Sequence, residues 1–221
     1  MEKRKIIFGS YDTAEQGWTL ASWELSAAEY RTQFVEVPGR DGDLDLSTAL
    51  TDGVPKYGSR TLTVTLERSD GTRLDREAAI NTMVNWLDGW RMDIHLPDDG
   101  SNHLTGRVHV AKDYNDMAHA AVSVSVICDP WRYHNYETVV ALTAGATQQT
   151  ARLTNSGRRS VVPLIVITGD DAAVNLQFGS MSWMLSAGSY QLPDLIVPQG
   201  GVSVVVSGTG AISFTYREAL L

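Results

Sequence analysis

Apolar and polar residues alternate along much of this chain. Thr61 to Glu67 sets Leu62, Val64 and Leu66 on one side and threonines on the other, and Ala120 to Val126 sets Val122, Val124 and Val126 against Ser123 and Ser125. Ala211 to Tyr216 repeats the period with Ile212, Phe214 and Tyr216. A period of two puts alternate side chains on opposite faces of a strand, so each segment predicts a strand with one buried face. Val161–Ile167 and Val202–Val206 are denser apolar runs and predict buried strands. One stretch changes period. Between Leu74 and Leu87, Ile80, Met83, Val84 and Leu87 recur at the spacing of an amphipathic helix. Thr72 and Asp75 before it form a capping-box pattern, and Gly89 after it supplies a residue suited to a left-handed helix end. Met1 to Phe8 reads as a first strand.

Pro130 cannot donate to a sheet ladder, and it predicts a strand end in Cys128-Asp-Pro-Trp-Arg-Tyr133. Beyond it charges thin out, Gly, Ser, Thr and Val dominate, and helical periodicity is absent. The expected division is therefore residues 1–134, an α+β part with several strands and one helix, and residues 135–221, an all-β sandwich of short strands. The chain as a whole is expected to be mainly β.

Composition narrows the function classes. With 43% hydrophobic and 20% charged residues, the 221-residue chain can bury cores. The net charge of −8 argues against a nucleic-acid binder, because such affinity comes from Lys and Arg neutralising phosphates. Direct sequence-specific nucleic-acid binding is not expected. The basic N-terminus lacks the apolar core of a signal peptide, and no apolar run reaches the ~20 residues of a membrane span. The product is expected to be made in the cytoplasm, with no membrane partner.

Candidate chemistry is sparse. Cys128, the lone cysteine, ends an apolar run and reads as a small buried hydrophobe. The five histidines show no i, i+4 pairing of the kind that binds zinc. Asp41, Asp43 and Asp45 alternate as calcium ligands can, but the sixth and twelfth positions of such a loop hold Leu46 and Asp52 where Gly and Glu belong. A tight turn over Pro38-Gly39-Arg40-Asp41-Gly42 explains the segment better. Gly208-Thr-Gly210 lacks the following helix that would hold a phosphate, and reads as a hairpin turn between two strands. There is no Gly-x-Ser-x-Gly elbow. Neither an enzyme nor a cofactor is expected. Of the six tryptophans, Trp86 lies near the apolar helix face and is expected in the core. Trp90 and Trp131 flank segment ends, where aromatics serve interfaces and cores alike.

Taken in order, these segments resemble the phage distal tail family, often called Dit. The resemblance rests first on Tyr30-Arg31 through Val37-Pro38-Gly39-Arg40-Asp41-Gly42-Asp43-Leu44-Asp45, followed by Tyr57-Gly-Ser-Arg60 opening a strand. Asp129-Pro130-Trp131-Arg132-Tyr133 looks like the motif closing the family's N-terminal domain. Asn155-Ser-Gly157, Pro163–Thr168, Leu185–Gly188 and Gly208 to Glu218 follow in family order. The resemblance implies an N-terminal ring-forming domain, sandwich- or barrel-like with one helix, and a galectin-like C-terminal β-sandwich. It implies a homohexameric hub in the virion's tail tip. The partners would be the tail tube's major protein, the end of the tape-measure protein, and tail-associated lysins or receptor-binding proteins. The signature residues, Arg31, Pro38, Gly39, Arg40, Asp41, Gly42, Asp45, Tyr57, Arg60, Asp129, Pro130, Trp131 and Tyr133, are the candidates for an interface. Three other readings compete: a carbohydrate-binding module for host attachment, a tube or other baseplate subunit, and a wall hydrolase. His134-Asn-Tyr136 and Met181–Leu185 depart from the sugar-binding strand and turn of true galectins, and fold alone carries no function.

Overall fold

The computed structural model describes residues 4–51 and 53–221. The chain forms two compact units, divided after Pro130.

The first unit is a sheet with one helix. Its strands are β1 (Ile7–Phe8), β2 (Tyr11–Asp12), β3 (Thr19–Leu25), β4 (Phe34–Val35), β5 (Leu44–Asp45) and β6 (Arg60–Arg68). Helix α1 (Arg73–Leu87) follows, then β7 (Arg91–His95), β8 (Asn102–Asn115) and β9 (Ala120–His134). The main sheet runs β2-β1-β7-β8-β9-β6-β3. Of the expected first strand, Ile7–Phe8 is a strand, and Met1–Lys3 lie outside the described residues.

The alternation read from the sequence sets the core. β6 and β9 are antiparallel, with Leu62 opposite Val126, Val64 opposite Val124 and Leu66 opposite Val122. All six are fully buried, while Thr63 and Thr65 face Ser125 and Ser123 on the other side. Each such side chain stabilises the fold by roughly 1.5–3 kcal/mol relative to exposure. Ile80, Met83 and Leu87 of α1 join the same core.

The helix ends as the sequence predicts. Thr72 Oγ1 accepts from the Asp75 amide at 3.2 Å, and Asp75 Oδ2 accepts from the Thr72 amide at 2.8 Å. At the other end Gly89 takes φ +79° and donates its N–H to Val108 O at 2.8 Å. Thr72→Ala removes one half of the capping box and should lower stability by about 1 kcal/mol. A urea midpoint unchanged from wild type would show that the cap contributes nothing.

Two expectations about strand ends are corrected. β9 does not stop at Pro130 but runs on to His134. Its ladder with β6 ends at Cys128, before the proline whose missing N–H such a ladder would need. Nor is Gly208-Thr-Gly210 a hairpin turn. The second unit contains β10 (Thr138–Ala144), β11 (Gln149–Leu153), β12 (Leu164–Phe178), β13 (Met181–Ser186), β14 (Gly188–Gln191), β15 (Val202–Tyr216) and β16 (Ala219–Leu220). β15 runs unbroken through the two glycines, bending there. Its first half pairs with β11 and its second half with β10.

β12 bends in the same way beside it. The ladder between them shifts register between Thr168 and Ala173. Before that break β12 also pairs with β14, and after it with β13. Two four-stranded halves, β10-β15-β12-β14 and β11-β15-β12-β13, thus share two continuous bent strands. Ile165, Ile212 and Phe214 of one half and Val174, Leu176 and Val204 of the other lie in one core. Glycine is required at the bend. Gly208 has φ +120°, and a Cβ there would fall 2.0 Å from Ala173 O.

Candidate interaction surface

β3 and β6 continue past their sheet as an arm. The ladder Leu25–Leu62 extends through Ser26 N–H to Thr61 O (2.9 Å), Gly58 N–H to Glu29 O (2.8 Å) and Arg31 N–H to Lys56 O (2.7 Å). Tyr30 bridges Tyr57. Arg60 holds the base, its Nε donating to Ser26 O at 2.8 Å. Arg31, far in the chain from Tyr57 and Arg60, therefore belongs with them to one structure, the arm's root.

The arm ends in a second hairpin. β4 and β5 pair Phe34 with Asp45 and Val35 with Leu44. Between them lies the Pro38–Asp43 loop. Arg40 N–H donates to Val37 O at 3.2 Å and Gly39 has φ +84°, so Val37-Pro38-Gly39-Arg40 is a turn with proline at its second position and glycine at its third. Gly42, at φ +73°, turns the chain again. Asp45 does not reach toward Asp41 and Asp43. It accepts from the Ser47 amide at 2.9 Å, and the Ser47 side chain, with this amide second to it, holds its carboxyl below the usual carboxylate range. Asp52, the other expected acid of this segment, lies outside the described residues.

No described residue of the arm from 26 to 59 is buried. Yet Tyr30, Phe34, Val35, Val37, Leu50 and Val54 are all exposed, Leu50 at 97%. An arm with apolar side chains and no core of its own is a feature of interaction surfaces.

The remaining signature residues lie elsewhere. Asp129, on β9, accepts from Arg91 Nη2 at 2.6 Å. Trp131 is half-buried at the start of the second unit. Tyr133 accepts at its hydroxyl from Arg159 Nη1 (3.1 Å), with that guanidinium 5.6 Å from its ring centroid.

The structure also joins two segments that the sequence showed only as separate matches. Glu218 is buried, and its carboxylate accepts from Thr138 Oγ1 at 2.8 Å and from the Ser156 amide at 2.6 Å, as well as from the Ser156 hydroxyl. Buried Asn155 donates to Arg159 O (2.9 Å) and Val197 O (3.0 Å) and accepts from Gly157 N–H at 2.9 Å. Gly157 lies against β16, where a Cβ would stand 2.4 Å from Ala219 O. β16 in turn pairs with Arg132 and Tyr133 of β9. Asn155-Ser-Gly157 and Tyr216-Arg-Glu218 are the two parts of one latch.

A second surface escaped the sequence reading. Trp86 is not in the core but 60% exposed, and Trp90 is 64% exposed. Ile80, Met83 and Leu87 fix the buried side of α1, and at 100° per residue Trp86 turns away from Leu87. With Asn85, Arg91 and Met92 the two indoles line a shallow depression. Signals were available: residues 78–87 contain no charge, although a helix facing solvent ordinarily carries many.

Burial pushes the Cys128 thiol up to about 11, so it is protonated near neutrality. Among the described residues no three His, Cys, Asp or Glu side chains gather as a metal-holding group, and no helix is long and apolar enough to cross a membrane. Trp183, the aromatic of the galectin comparison, packs against the second core.

No family model and no curated protein matches the sequence. Solved structures do. The chain is similar to the Dit protein (gp 19.1) of phage SPP1, whose crystal structure was presented as a paradigm of the hub adsorption apparatus in phages infecting Gram-positive bacteria. The match covers 100% of both chains at a TM-score of 0.70 and 15% identity. A chain of the phage P2 baseplate, in its activated conformation with Ca, matches over 99% of this chain and 98% of its own at 7% identity. The TM-score of that match is 0.45. The mostly β architecture is that of SPP1 Dit from end to end.

Proposed function

We propose that this chain is the hub subunit of a long-tailed phage's tail tip, a structural protein of the virion and not an enzyme. Six copies close into a ring. The ring joins the tail tube's major protein and the end of the tape-measure protein to tail-associated lysins or receptor-binding proteins. The observation that carries the proposal is the likeness to SPP1 Dit over the full length of both chains. The exposed arm and the uncharged helix face support it, since a closed ring needs two different faces on each subunit. The second unit, residues 131–221 by its contacts and 135–221 by its composition, is proposed to be the galectin-like domain.

Light scattering on the purified protein, with negative-stain imaging of the same peak, tests the reading. The expected particle holds six copies of the 24.2 kDa chain around an open centre. Open-ended tubes would make it a tube protein instead. Turnover of cell-wall polymer would overturn the structural role.

A further inference from the structure

Exposed Trp86 and Trp90, with Asn85, Arg91 and Met92, line an open depression of about 400 Å³. Both indoles stand on backbone that is already fixed. Trp86 is in the last turn of α1. Trp90 accepts at its carbonyl from Val108 N–H (2.9 Å) and donates its own N–H to Leu87 O (3.3 Å). The charges around the depression are of both signs, and each is engaged. Arg91 holds Asp129 at 2.6 Å, and Arg107 donates to Gly89 O. Asp88 accepts from Val110 N–H at 2.8 Å and lies 2.9 Å from His109 Nδ1, and Asp93 accepts from Thr105 Oγ1 at 2.7 Å. Neither sign dominates, so nothing here selects an ion. Flat apolar rings beside a neutral amide, in an open and preformed hollow, suit a ligand with an apolar face and polar edges.

A sugar ring has those properties. A pyranose with equatorial substituents turns a flat layer of C–H bonds to each side and its hydroxyls outward around the rim. We propose that the Trp86–Trp90 depression binds a neutral glycan, a chain of equatorially linked glucose or N-acetylglucosamine units. The C–H faces stack on the indoles. The Asn85 amide, which both donates and accepts, and the Arg91–Asp129 pair meet hydroxyl or acetamido groups at the edge. Little is lost in ordering, because the backbone under both indoles is held beforehand. The site belongs to the first unit, and it does not depend on the hub reading. It occupies only the end of α1. Ala78, Asn81 and Thr82, up to about two turns back along the helix, remain for a neighbouring subunit.

Calorimetric titration of the full chain with cellotetraose and with chitotetraose tests the site. At least one should bind, and added salt should leave the affinity unchanged, because the ligand is neutral. Trp86→Ala and Trp90→Ala should each weaken binding about tenfold or more, since aromatic anchors carry most of such a contact. Both positions are exposed, so the urea midpoints of the variants should match that of the wild type. If a variant fails to fold, tryptophan emission of the wild type during the titration replaces it, and an unchanged spectrum overturns the site. Binding of neither sugar overturns the proposal. Binding that survives both substitutions does so too, because the glycan then sits elsewhere. Proline-rich peptides also stack on indoles, so a polyproline peptide that binds where both sugars fail makes this a peptide dock and the proposal wrong. A failed titration beside a wild type that forms rings leaves the hub reading standing, and a glycan bound by a monomer leaves the site standing without the ring.

Discussion

Arg76→Ala is expected to destabilise the first unit by about 4 kcal/mol, more than any surface change in the chain. Arg76 is 2% exposed. Its Nη1 donates to Gly71 O at 2.8 Å, and its Nη2 to Asp116 O at 3.0 Å and Met117 O at 3.2 Å. One planar guanidinium thus ties the loop before α1 to the turn between β8 and β9. Alanine leaves three carbonyls without this donor and opens a cavity, and both effects add. Arg76→Lys keeps the charge but cannot span both nitrogen positions, and should lose about 2 kcal/mol. Chemical denaturation gives both values. A loss below about 1 kcal/mol for alanine would mean that water replaces the clamp at little cost.

The second large effect belongs to Glu218. Glu218→Ala should cost the second unit about 3 kcal/mol, because the Ser156 amide, the Ser156 hydroxyl and the Thr138 hydroxyl all lose a charged acceptor. Glu218→Gln should cost less, about 1–2 kcal/mol. Its carbonyl can still accept from Ser156, and its NH2 can donate to a rotated Thr138 hydroxyl. The wild type also gains a pH dependence here. Burial pushes the Glu218 carboxyl up, but the hydrogen bonds from Ser156 and Thr138 outweigh it and hold it below the ordinary 4.5. A carboxyl lowered by folding stabilises the fold fully above its unfolded value and loses that contribution as pH falls through the folded one. Below about pH 4.5 the wild type should therefore lose its advantage over Glu218→Gln. Parallel acid unfolding curves for the two proteins would rule out this role.

How much of this was legible follows from where the information lies. α1 was readable because its determinants are local: a period of 3.6, a hydroxyl and a carboxylate three residues apart, and a glycine after the last turn. β6 and β9 were readable for the same reason, since alternation and one-sided burial go together. Gly208-Thr-Gly210 was misread because its local chemistry is that of a turn. Only the matching break in β12, about 40 residues earlier in the chain, makes it a bend within a strand. Trp86 was misread by type, although its position on the helix turns it outward. The arm's residues were legible as a motif, but their pairing was not. Whether Tyr57 meets Tyr30 depends on a ladder between segments that carry no period of their own. Glu218 and Asn155 show the same limit, because nothing local to either indicates the other.

The two bent strands of the second unit bear on its mechanics. A hinge forms where few connections cross between two bodies. Here β12 and β15 cross side by side, and their ladder is bonded on both sides of the bend. One half cannot rock without twisting the backbone of the other. The unit should behave as a stiff block, passing a push on one face through to the opposite face with little give, as a rigid coupling does in a train of stacked parts.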